Sequence, residues 1–501
     1  MESRQELETR RAPVELDPDE FRRLGHETVD AIADFLRTLP ERPVTTAASP
    51  VEIRRALGGG GLPEHGAPPE EVLAEAARLL FEHSALNGHP RFFAYITSSA
   101  APIGALGDLL AAAVNPNVGG FPLAPLATEV EAQTIRWIAE LLGYPTDCGG
   151  LLVSGGNMAN FVGFLAARAA QASWDVRTHG LAADGAAPFR AYVSAETHTW
   201  IQKAADLFGL GTDAIRWIET DDEQRMLVRA LRERIEADRA EGALPLLVVG
   251  TAGSVSTGAI DPLGELADLC RDEGIWFHVD GAYGAPAAIL PDAPPALRAL
   301  GRADSLAMDP HKWLYAPLEA GCVLVRDREA LRSAFTYRPP YFRFEEGENA
   351  PIQYVDFGPQ NSRGFRALKV WLALRQAGRD GYARTIAEDV ELARELHRLA
   401  EADDELEAWT TSLSITTFRY VPPGVEPGTE AGEELLNRLN QELLGRLERG
   451  GEVFMSNAVI RGAYLLRVCI VNFRTGLEDI RAVPEIVKRV GAEVAAELQA
   501  S

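Results

Sequence analysis

The fold class follows from the stretch Leu151-Leu152-Val153-Ser154-Gly155-Gly156-Asn157-Met158-Ala159-Asn160. It predicts a buried strand, a turn of small residues, and a helix that continues to Ala170. The free amides and the dipole at the start of such a helix favour an anion, and Gly155-Gly156 would let a phosphate approach closely. A simple strand-to-helix turn is the alternative. The sequence contains neither the G-x-G-x-x-G fingerprint nor a Walker lysine, which dinucleotide and nucleoside-triphosphate sites require.

Short apolar runs alternate with helical patterns from this stretch to about Val325. The runs are Leu151-Leu152-Val153, Ala191-Tyr192-Val193, Leu246-Leu247-Val248-Val249, Ile275-Trp276-Phe277-His278-Val279 and Cys322-Val323-Leu324-Val325. Apolar strands separated by helices predict an α/β fold with a largely parallel sheet covered on both faces. Because loops at the carboxyl ends of such strands form active sites, the polar residues found there are candidates. They are Ser154 to Asn157, Glu196 to His198, and Asp280 to Tyr283.

The chain on either side of this region has a different character. Asp17-Pro18 is a helix-start signal, and Gly58-Gly59-Gly60-Gly61 marks a linker between short helices. After residue 378, charged helical segments alternate with two strand-like runs, 412–420 and 464–473. The expected domains are an N-terminal helical arm (1–85), a large domain (86–378) and a small α+β C-terminal domain (379–501).

Composition narrows the classes of function. The 501 residues carry 73 acidic and 49 basic side chains, a formal charge of −24, so neither nucleic-acid nor membrane binding is expected. The four cysteines are far apart and form no C-x-x-C pair, which is typical of reduced thiols in a cytoplasm. The N-terminus lacks the apolar segment of a secretion signal. The apolar stretch 103–114 is too short to span a bilayer and predicts a core helix.

An acid follows one of the most apolar strands, in His278-Val279-Asp280-Gly281-Ala282-Tyr283. A carboxylate is costly there without a partner, so a cation is expected beside Asp280. A protonated pyridine nitrogen is one candidate. A metal held by His278 and Asp280 is another, since alternation along a strand points both side chains to the same face. A simple helix N-cap is the third possibility.

Lysine is scarce, because 45 of the 49 basic residues are arginine. Lys312, in Ala307-Met308-Asp309-Pro310-His311-Lys312-Trp313, lies between a strand-like run and an aromatic residue within the predicted core domain. Lysines are rarely buried unless paired or used, and desolvation favours the free amine that forms Schiff bases. The other three, Lys203, Lys369 and Lys488, lie in helical segments and are expected to be solvated or to steer phosphate.

One ligand accounts for a phosphate site at a helix start, an acid against a ring nitrogen, a flat aromatic lid and a Schiff-base lysine. That ligand is pyridoxal phosphate. The chain resembles the group II pyridoxal-phosphate decarboxylases in five motifs that span nearly its whole length. The motifs are His89-Pro90-Arg91-Phe92-Phe93-Ala94-Tyr95, Ser194-Ala195-Glu196-Thr197-His198-Thr199-Trp200, His278-Val279-Asp280-Gly281-Ala282-Tyr283, Asp309-Pro310-His311-Lys312-Trp313 and Cys469-Ile470-Val471-Asn472-Phe473-Arg474-Thr475.

The resemblance implies a PLP-dependent transferase of fold type I with a mostly parallel seven-stranded sheet. It also implies a homodimer, with an N-terminal arm wrapping the partner, active sites at the interface and no metal. By motif, Lys312 would bind the cofactor covalently and Asp280 would pair with its ring nitrogen, while Ala282 and His198 would contact the two faces of the ring. The residues expected at the phosphate are Gly155, Gly156 and Asn157, with His311 nearby.

The family returns a proton to the substrate from a tyrosine on a loop. Tyr341, in Arg338-Pro339-Pro340-Tyr341-Phe342, is the candidate for this role, and an ordinary surface tyrosine is the alternative. In the family a phenylalanine here is expected to favour aldehyde formation, so tyrosine favours release of the amine.

The substrate prediction depends on a few positions. The predicted pocket comprises Phe92, Tyr95, Ile96, Thr97 and Ser362. The Phe-Phe-Ala-Tyr sequence resembles the branch acting on aromatic L-amino acids, although Ile96 and Thr97 depart from it, and core packing is the alternative for Phe92. The serine at 362 disfavours tryptophan. The rivals are decarboxylation of glutamate, diaminobutyrate or sulfinoalanine, aldehyde-forming oxidation, and a catalytically silent relative that acts as a binding protein.

Overall fold

The computed structural model describes Glu8 and residues 12–58, 60–337 and 350–500. Within residues 12–85, outside the undescribed Gly59, the chain forms three α-helices: α1 (Pro18–Thr38), α2 (Pro50–Ala56) and α3 (Pro69–His83). Each begins at a proline, whose fixed φ suits the first helical position and whose missing N–H costs nothing there. Asp17 caps α1 and Ser49 caps α2, as their short polar side chains predict.

The large α/β region follows. Its helices and strands are α4 (Pro102–Val114), α5 (Pro125–Leu142), β1 (Gly149–Val153), α6 (Gly156–Gln171), α7 (Val176–His179), β2 (Phe189–Ser194), α8 (Trp200–Leu207), β3 (Ile215–Ile218), α9 (Val228–Ala240), β4 (Leu244–Thr251), α10 (Leu263–Glu273), β5 (Trp276–Asp280), β6 (Ser305–Met308), β7 (Gly321–Val325) and α11 (Arg328–Phe335). Short 3-10 helices occupy Leu39–Glu41, Phe121–Leu123, Thr212–Ala214, Ala285–Ile289, Pro295–Arg302 and Tyr354–Asp356.

The seven strands form one sheet in the order β1-β7-β6-β5-β4-β2-β3. All neighbours pair in parallel except β7, which is antiparallel to both β1 and β6. Every residue of β1, β5, β6 and β7 is buried, so helices cover both faces. The predicted, mostly parallel seven-stranded sheet is therefore confirmed.

The register brings the carboxyl ends of the central strands together. Asp280 at the end of β5 pairs with Thr251 of β4 on one side and Ala307 of β6 on the other. Beyond the strands, Gly281 N donates to Ala307 O at 2.9 Å and Asp309 N donates to Ala282 O at 3.1 Å. These backbone bonds hold the loops after β5 and β6 side by side.

The C-terminal region combines helices with a second sheet. Its elements are α12 (Ala367–Glu401), β8 (Leu406–Ser412), β9 (Ile415–Tyr420), α13 (Glu430–Gly450), β10 (Ser456–Ile460), β11 (Ala463–Cys469) and α14 (Leu477–Ala500). The four strands are antiparallel in the order β10-β11-β9-β8. The run predicted as one strand over 412–420 is divided, because Leu413 adopts a φ of 50° in the turn between β8 and β9.

The predicted domain limits remain a prediction. α12 crosses residue 378 as one helix, although Gly378 interrupts it with a φ of 64°. Residues before the sheet also contact the C-terminal region, since Phe93 N donates to Phe454 O at 2.7 Å. Phe93 accordingly belongs to the core formed by α13, α14 and the second sheet.

The prediction of a core helix over 103–114 is wrong in one respect. The residues of α4 that are buried are Gly104 and Gly107. A Cβ on Gly104 would lie 2.4 Å from Pro317, which shows how closely α4 approaches its neighbours through its glycine face. Its larger side chains are exposed: Leu106, Leu109, Leu110 and Val114. Across the part of the chain that the structure describes, no helix combines the length and apolarity needed to cross a membrane.

Candidate active site

Lys312 lies in a tight loop that follows β6. Its Nζ is 3.2 Å from Asp309 Oδ2, and its side chain is largely buried. The loop closes on itself, since Lys312 N donates to Asp309 O at 2.9 Å. His311 is tied to Ala320 through both its backbone N–H and its Nδ1, and the Ser98 hydroxyl donates to its carbonyl at 2.7 Å. The position of Lys312 is therefore set from both sides of the loop.

Asp280 is buried at the end of β5. Its Oδ1 accepts a hydrogen bond from Ala282 N at 3.2 Å. Within the described ranges no lysine, arginine or histidine forms a salt bridge with it, although a carboxylate in this position needs a cation. The missing partner is consistent with a protonated ring nitrogen supplied by a ligand.

His278 does not share the cavity with Asp280. Its Nε2 lies 2.7 Å from Asn160 Oδ1 and its Nδ1 lies 2.7 Å from Ser305 Oγ, which also accepts from Trp276 Nε1 at 2.8 Å. Full burial lowers the pKa of His278 to about 4, so the ring is neutral. Both ring nitrogens are engaged, and none remains to bind a metal.

A cavity of about 110 Å³ opens between these loops. Its lining residues are Ile96, Gly156, Asn157, Asn160, Glu196, His198, Thr251, Gly253, Val255, Asp280, Ala282, Tyr283, Asp309 and Lys312. The structure thus brings together seven of the residues that the sequence places at the cofactor or substrate, six of them from four separate strand ends and the seventh, Ile96, from the segment before α4.

His198 stands at the mouth of the cavity. Its side chain is exposed, and its Nδ1 accepts from Trp200 N at 3.3 Å. Partial desolvation by the surrounding protein lowers the pKa of His198, and the negative charge of Asp280 opposes that shift. A neutral, flat imidazole facing Asp280 and Lys312 is suited to stacking on an aromatic ring.

The cavity wall fits a phosphorylated pyridine. α6 begins at Gly156 and presents the amides of its first turn to the cavity, as an anion site requires. The turn has no space for side chains: Gly155 adopts a φ of 148°, and a Cβ on Gly156 would lie 2.7 Å from Asp309 Oδ2. Two buried polar atoms, Thr251 Oγ1 and Asp309 Oδ1, have no hydrogen-bond partner among the described residues. Buried polar groups are normally paired, so these atoms indicate a ligand.

Several predicted residues lie elsewhere. Phe92 is in a small core with Val44 and Ala94, where it stacks on Phe454 at 5.3 Å, so packing rather than substrate contact accounts for it. Tyr95 is 62% exposed. The cavity lining does not include Gly155, His311, Thr97 or Ser362, and Ser362 is exposed. Tyr341 lies outside the described residues, and its role stays a prediction.

The sequence prediction missed Asn160 and Thr251, which line the cavity, and it did not single out the buried Arg467, which does not line it. The first two lie at the cavity because β4 ends beside β5 and α6 crosses above them. Arg467, in the apolar strand β11, is 1% exposed; its Nη1 donates to Tyr95 O and Ser456 Oγ, and its Nε and Nη2 have no partner. A charge within an apolar run is the signal that singled out Asp280, and applied to 463–469 it would have found Arg467 too.

The family model for the pyridoxal-dependent decarboxylase conserved domain matches residues 53–421. An aromatic-L-amino-acid decarboxylase from Bacillus atrophaeus is 33% identical over 483 residues, covering 96% of this chain and 97% of that protein. The structure of Oryza sativa TDC with PLP and tryptamine superposes with a TM-score of 0.88 at 28% identity, covering 97% of this chain and 99% of that one. Mouse CSAD in its apo form gives 0.88 at 26% identity, with 95% and 99% covered. The chain therefore belongs to the pyridoxal-dependent decarboxylase family and is a carboxy-lyase that acts on an amino acid with pyridoxal 5'-phosphate.

Proposed function

We propose that this protein decarboxylates an aromatic L-amino acid, releasing the amine and carbon dioxide. The carrying observation is the identity of 33% to the Bacillus enzyme over nearly the full length of both chains. The tryptamine bound by the Oryza protein is an aromatic amine of the same class. The Phe-Phe-Ala-Tyr sequence at 92–95 also supports the aromatic branch, although Phe92 acts through packing.

The charge of the cavity wall supports this substrate class over acidic ones. Glu196 lines the cavity, and burial raises the pKa of its carboxyl while a hydrogen bond from Ser256 opposes the rise. Lys312 is the single lysine or arginine among the described residues that line the cavity, and it is assigned to the cofactor, so a second acidic group on the substrate, as in glutamate or sulfinoalanine, would have no cationic partner there. A phenol, indole or imidazole could instead donate a hydrogen bond to Glu196 and contact Ile96 and Val255.

Different described residues would hold different parts of the cofactor. When bound, pyridoxal phosphate takes up the electron pair that departing carbon dioxide leaves on Cα. The Nζ of Lys312 would attach it, and the Asp280 carboxylate would keep a proton on its ring nitrogen. His198 would stack on one face and Ala282 would contact the other. The groups that would hold the phosphate are the amides of Gly155, Gly156 and Asn157, with His311 close by.

The proton that returns to Cα is assigned to Tyr341 by resemblance alone. Tyr341→Phe should retain the bound cofactor but divert product from amine toward aldehyde. The measurement is the ratio of amine to aldehyde from one substrate. Normal amine release at the normal rate would remove Tyr341 from this role.

We also propose that the protein works as a homodimer in the cytoplasm. The proposal rests on an exposed apolar face of α4. The glycine side of this helix packs closely against the rest of the chain, and the opposite side exposes Leu106, Leu109, Leu110 and Val114. A partner subunit would cover it. Light scattering should give twice the 54.3 kDa chain mass, and Leu110→Glu should shift it toward one chain. A wild-type mass of one chain would refute the dimer.

The four cysteines are all free, in keeping with the reducing cytoplasm that we propose.

The substrate is tested on the purified protein loaded with pyridoxal phosphate. Dopa, tyrosine, tryptophan, histidine, glutamate and diaminobutyrate are supplied separately, and carbon dioxide, amine, aldehyde and peroxide are measured. Amine from an aromatic substrate is expected. Amine from glutamate or diaminobutyrate alone would overturn the aromatic assignment but not the decarboxylase family. Aldehyde with peroxide would indicate the oxidative reaction, and bound cofactor without turnover would indicate a binding protein.

A further inference from the structure

Asp389 is a buried carboxylate behind the lysine loop. It lies on α12 and is 2% exposed. Its Oδ2 accepts two hydrogen bonds, from Trp313 Nε1 at 2.8 Å and from the Tyr315 hydroxyl at 2.6 Å. The donors are the first and third residues after Lys312. Among the described residues no cation forms a salt bridge with Asp389, so its charge is balanced by these hydrogen bonds rather than by an ion pair.

The loop needs such an anchor because its backbone is strained. Tyr315 adopts a φ of 54°, a conformation that residues with a side chain rarely take. Strain of this kind persists where the surroundings impose it. Tyr315 stacks on Tyr382, whose hydroxyl donates to Leu314 O at 2.9 Å. Tyr382 and Asp389 are two helical turns apart, so α12 holds the loop at two points.

The anchor also reaches the cavity. Trp313 is fully buried and stacks on Tyr283, with the ring centroids 4.9 Å apart. Tyr283 lines the cavity beside Ala282 and Asp280. A shift of Trp313 would therefore move both the backbone of Lys312 and the wall that faces the cofactor.

We propose that Asp389 is a positioning residue: by accepting from Trp313 and Tyr315 with one oxygen, it aims Lys312 at the cavity, and its protonation weakens that hold. A charged acceptor forms shorter and stronger hydrogen bonds than a neutral one. The 2.6 Å bond from Tyr315 is of the charge-assisted length. The inference rests on the proposed function of Lys312 as the residue that attaches the cofactor.

The surroundings place this protonation near neutral pH. Burial raises the pKa of Asp389 to about 7, the charge of Glu388 adds to the rise, and the bonds from Tyr315 and Trp313 oppose it. Among the described residues, the titratable groups that interact with Asp389 are Tyr315 from the lysine loop, Glu388 from α12 and Cys469 from β11. Tyr382 of α12 acts on Tyr315, and the backbone N–H of Asn472 donates to Asp389 and also opposes the rise. Burial also raises the pKa of Tyr315 well above its usual range, which leaves Asp389 as the group of the pair that ionises.

The test measures cofactor attachment, which does not depend on the substrate. Apoenzyme is mixed with pyridoxal phosphate, and the rate of attachment and the visible band of the bound cofactor are followed between pH 6 and pH 8. Wild type should show a transition near pH 7. Asp389→Asn keeps an acceptor but cannot ionise, so the transition should vanish. Asp389→Leu should attach the cofactor about tenfold more slowly, the effect of roughly one to two lost hydrogen bonds.

Two further variants make the outcome decisive. Leu443→Ala, in the separate core of the C-terminal region, lowers stability without touching the loop and should attach the cofactor at the wild-type rate. If Asp389→Leu does not fold, Tyr315→Phe removes one bond alone and should slow attachment about fivefold. An unchanged rate in the folded variant, or the same pH transition in Asp389→Asn, would overturn the proposal. Loss of attachment by Lys312→Ala checks the underlying role of Lys312 separately.

Discussion

Two groups of buried polar side chains lie in and beside the central strands of the large sheet, and they differ in whether protein partners satisfy their hydrogen bonds. In the first, which we call the support network, His278 is bonded to Asn160 and Ser305, and Ser305 also to Trp276. In the second, the binding wall, the described part of the chain supplies no hydrogen-bond partner for Thr251 Oγ1 or Asp309 Oδ1 and no salt-bridge partner for Asp280. Burial alone does not separate the two groups.

The difference teaches where a ligand is needed. A buried group that has all its hydrogen bonds contributes to the fold, whereas one left unsatisfied costs roughly 1–3 kcal/mol until something binds it. His278 and Asp280 are two residues apart on one strand, and the sequence alone allows both to hold a metal. The structure assigns His278 to the support network and leaves Asp280 facing the cavity.

The largest expected effect concerns Lys312, whose Nζ lies beside Asp309 of the binding wall. Lys312→Ala should abolish covalent attachment of the cofactor and lower kcat by at least about a thousandfold, because it removes the amine that we propose attaches the cofactor. The melting temperature of the apoenzyme should barely change. Lys488 lies on α14, and Lys488→Ala, which breaks its pair with Asp403, is the matched control and should keep the cofactor. Covalent attachment in the Lys312 variant, detected by mass spectrometry after reduction, would place the lysine chemistry elsewhere.

The support network should instead appear in the pH dependence of stability. His278 has a pKa of about 4 in the folded chain and about 6.5 when unfolded, so the unfolded chain binds the extra proton between these values. The free energy of unfolding should thus fall by about 3 kcal/mol as pH drops from 6.5 to 4. This contribution is full above pH 6.5.

Comparison with a variant isolates that contribution from other titrating groups. His278→Asn should be about 2 kcal/mol less stable than wild type at pH 7, since its hydrogen bonds are disrupted. The gap should narrow as pH falls and close by about pH 4.5, because wild type alone loses stability through this residue and its loss has reached the size of the gap there. Urea unfolding at pH 7, 5.5 and 4.5 measures it. A gap that stays constant with pH would mean that the ring binds its proton over the same pH range in the folded and the unfolded chain, so that burial does not lower its pKa.

The sequence predicts most of the large sheet because its strands are continuously apolar. It does not predict β3, a four-residue strand at the sheet edge whose middle is Arg216 and Trp217, so it lacks the apolar signature of a covered strand. Nor does it predict that β7 runs antiparallel, since an apolar run carries no direction. The exposed leucines of α4 were also missed, because the buried face of that helix is glycine.

The site is predicted less completely, for a physical reason. Lys312, Asp280 and His198 stand out because each is a polar residue in a costly or conspicuous place. Thr251 and Asn160 do not, since a threonine after a strand and an asparagine in a helix are ordinary in sequence. Their roles depend on the register of β4 against β5 and on the packing of α6, which one-dimensional patterns do not contain.

A pair of isosteric variants sharpens the comparison. Thr251→Val removes a hydroxyl that has no partner, so stability should hold or rise by up to about 1 kcal/mol while cofactor affinity falls about fivefold to tenfold. Thr134→Val removes a buried hydroxyl that donates to Val130 O at 2.7 Å. It should lose about 1 kcal/mol of stability with no change in affinity. Calorimetry and fluorescence titration give both quantities. Equal changes in stability and in cofactor affinity for the two variants would show that the presence of a hydrogen-bond partner does not predict whether a buried hydroxyl serves the fold or the ligand.

The smallest expected effect concerns Tyr283, a residue that lines the cavity but has its hydrogen bonds satisfied by the protein. Tyr283 lines the cavity, yet its hydroxyl lies 2.6 Å from Ser414 Oγ and accepts from Ser414 N at 3.0 Å, on the side of the small sheet. By the criterion of satisfied bonds it belongs with the support network. Tyr283→Phe keeps the ring against Trp313, so it should cost about 1 kcal/mol of stability and leave cofactor affinity within twofold. Tyr144→Phe, which removes a hydroxyl bonded to Ala303 O far from the cavity, should cost a similar amount. A tenfold loss of cofactor affinity in Tyr283→Phe alone would mean that position in the cavity, and not the state of its hydrogen bonds, determines what a residue does.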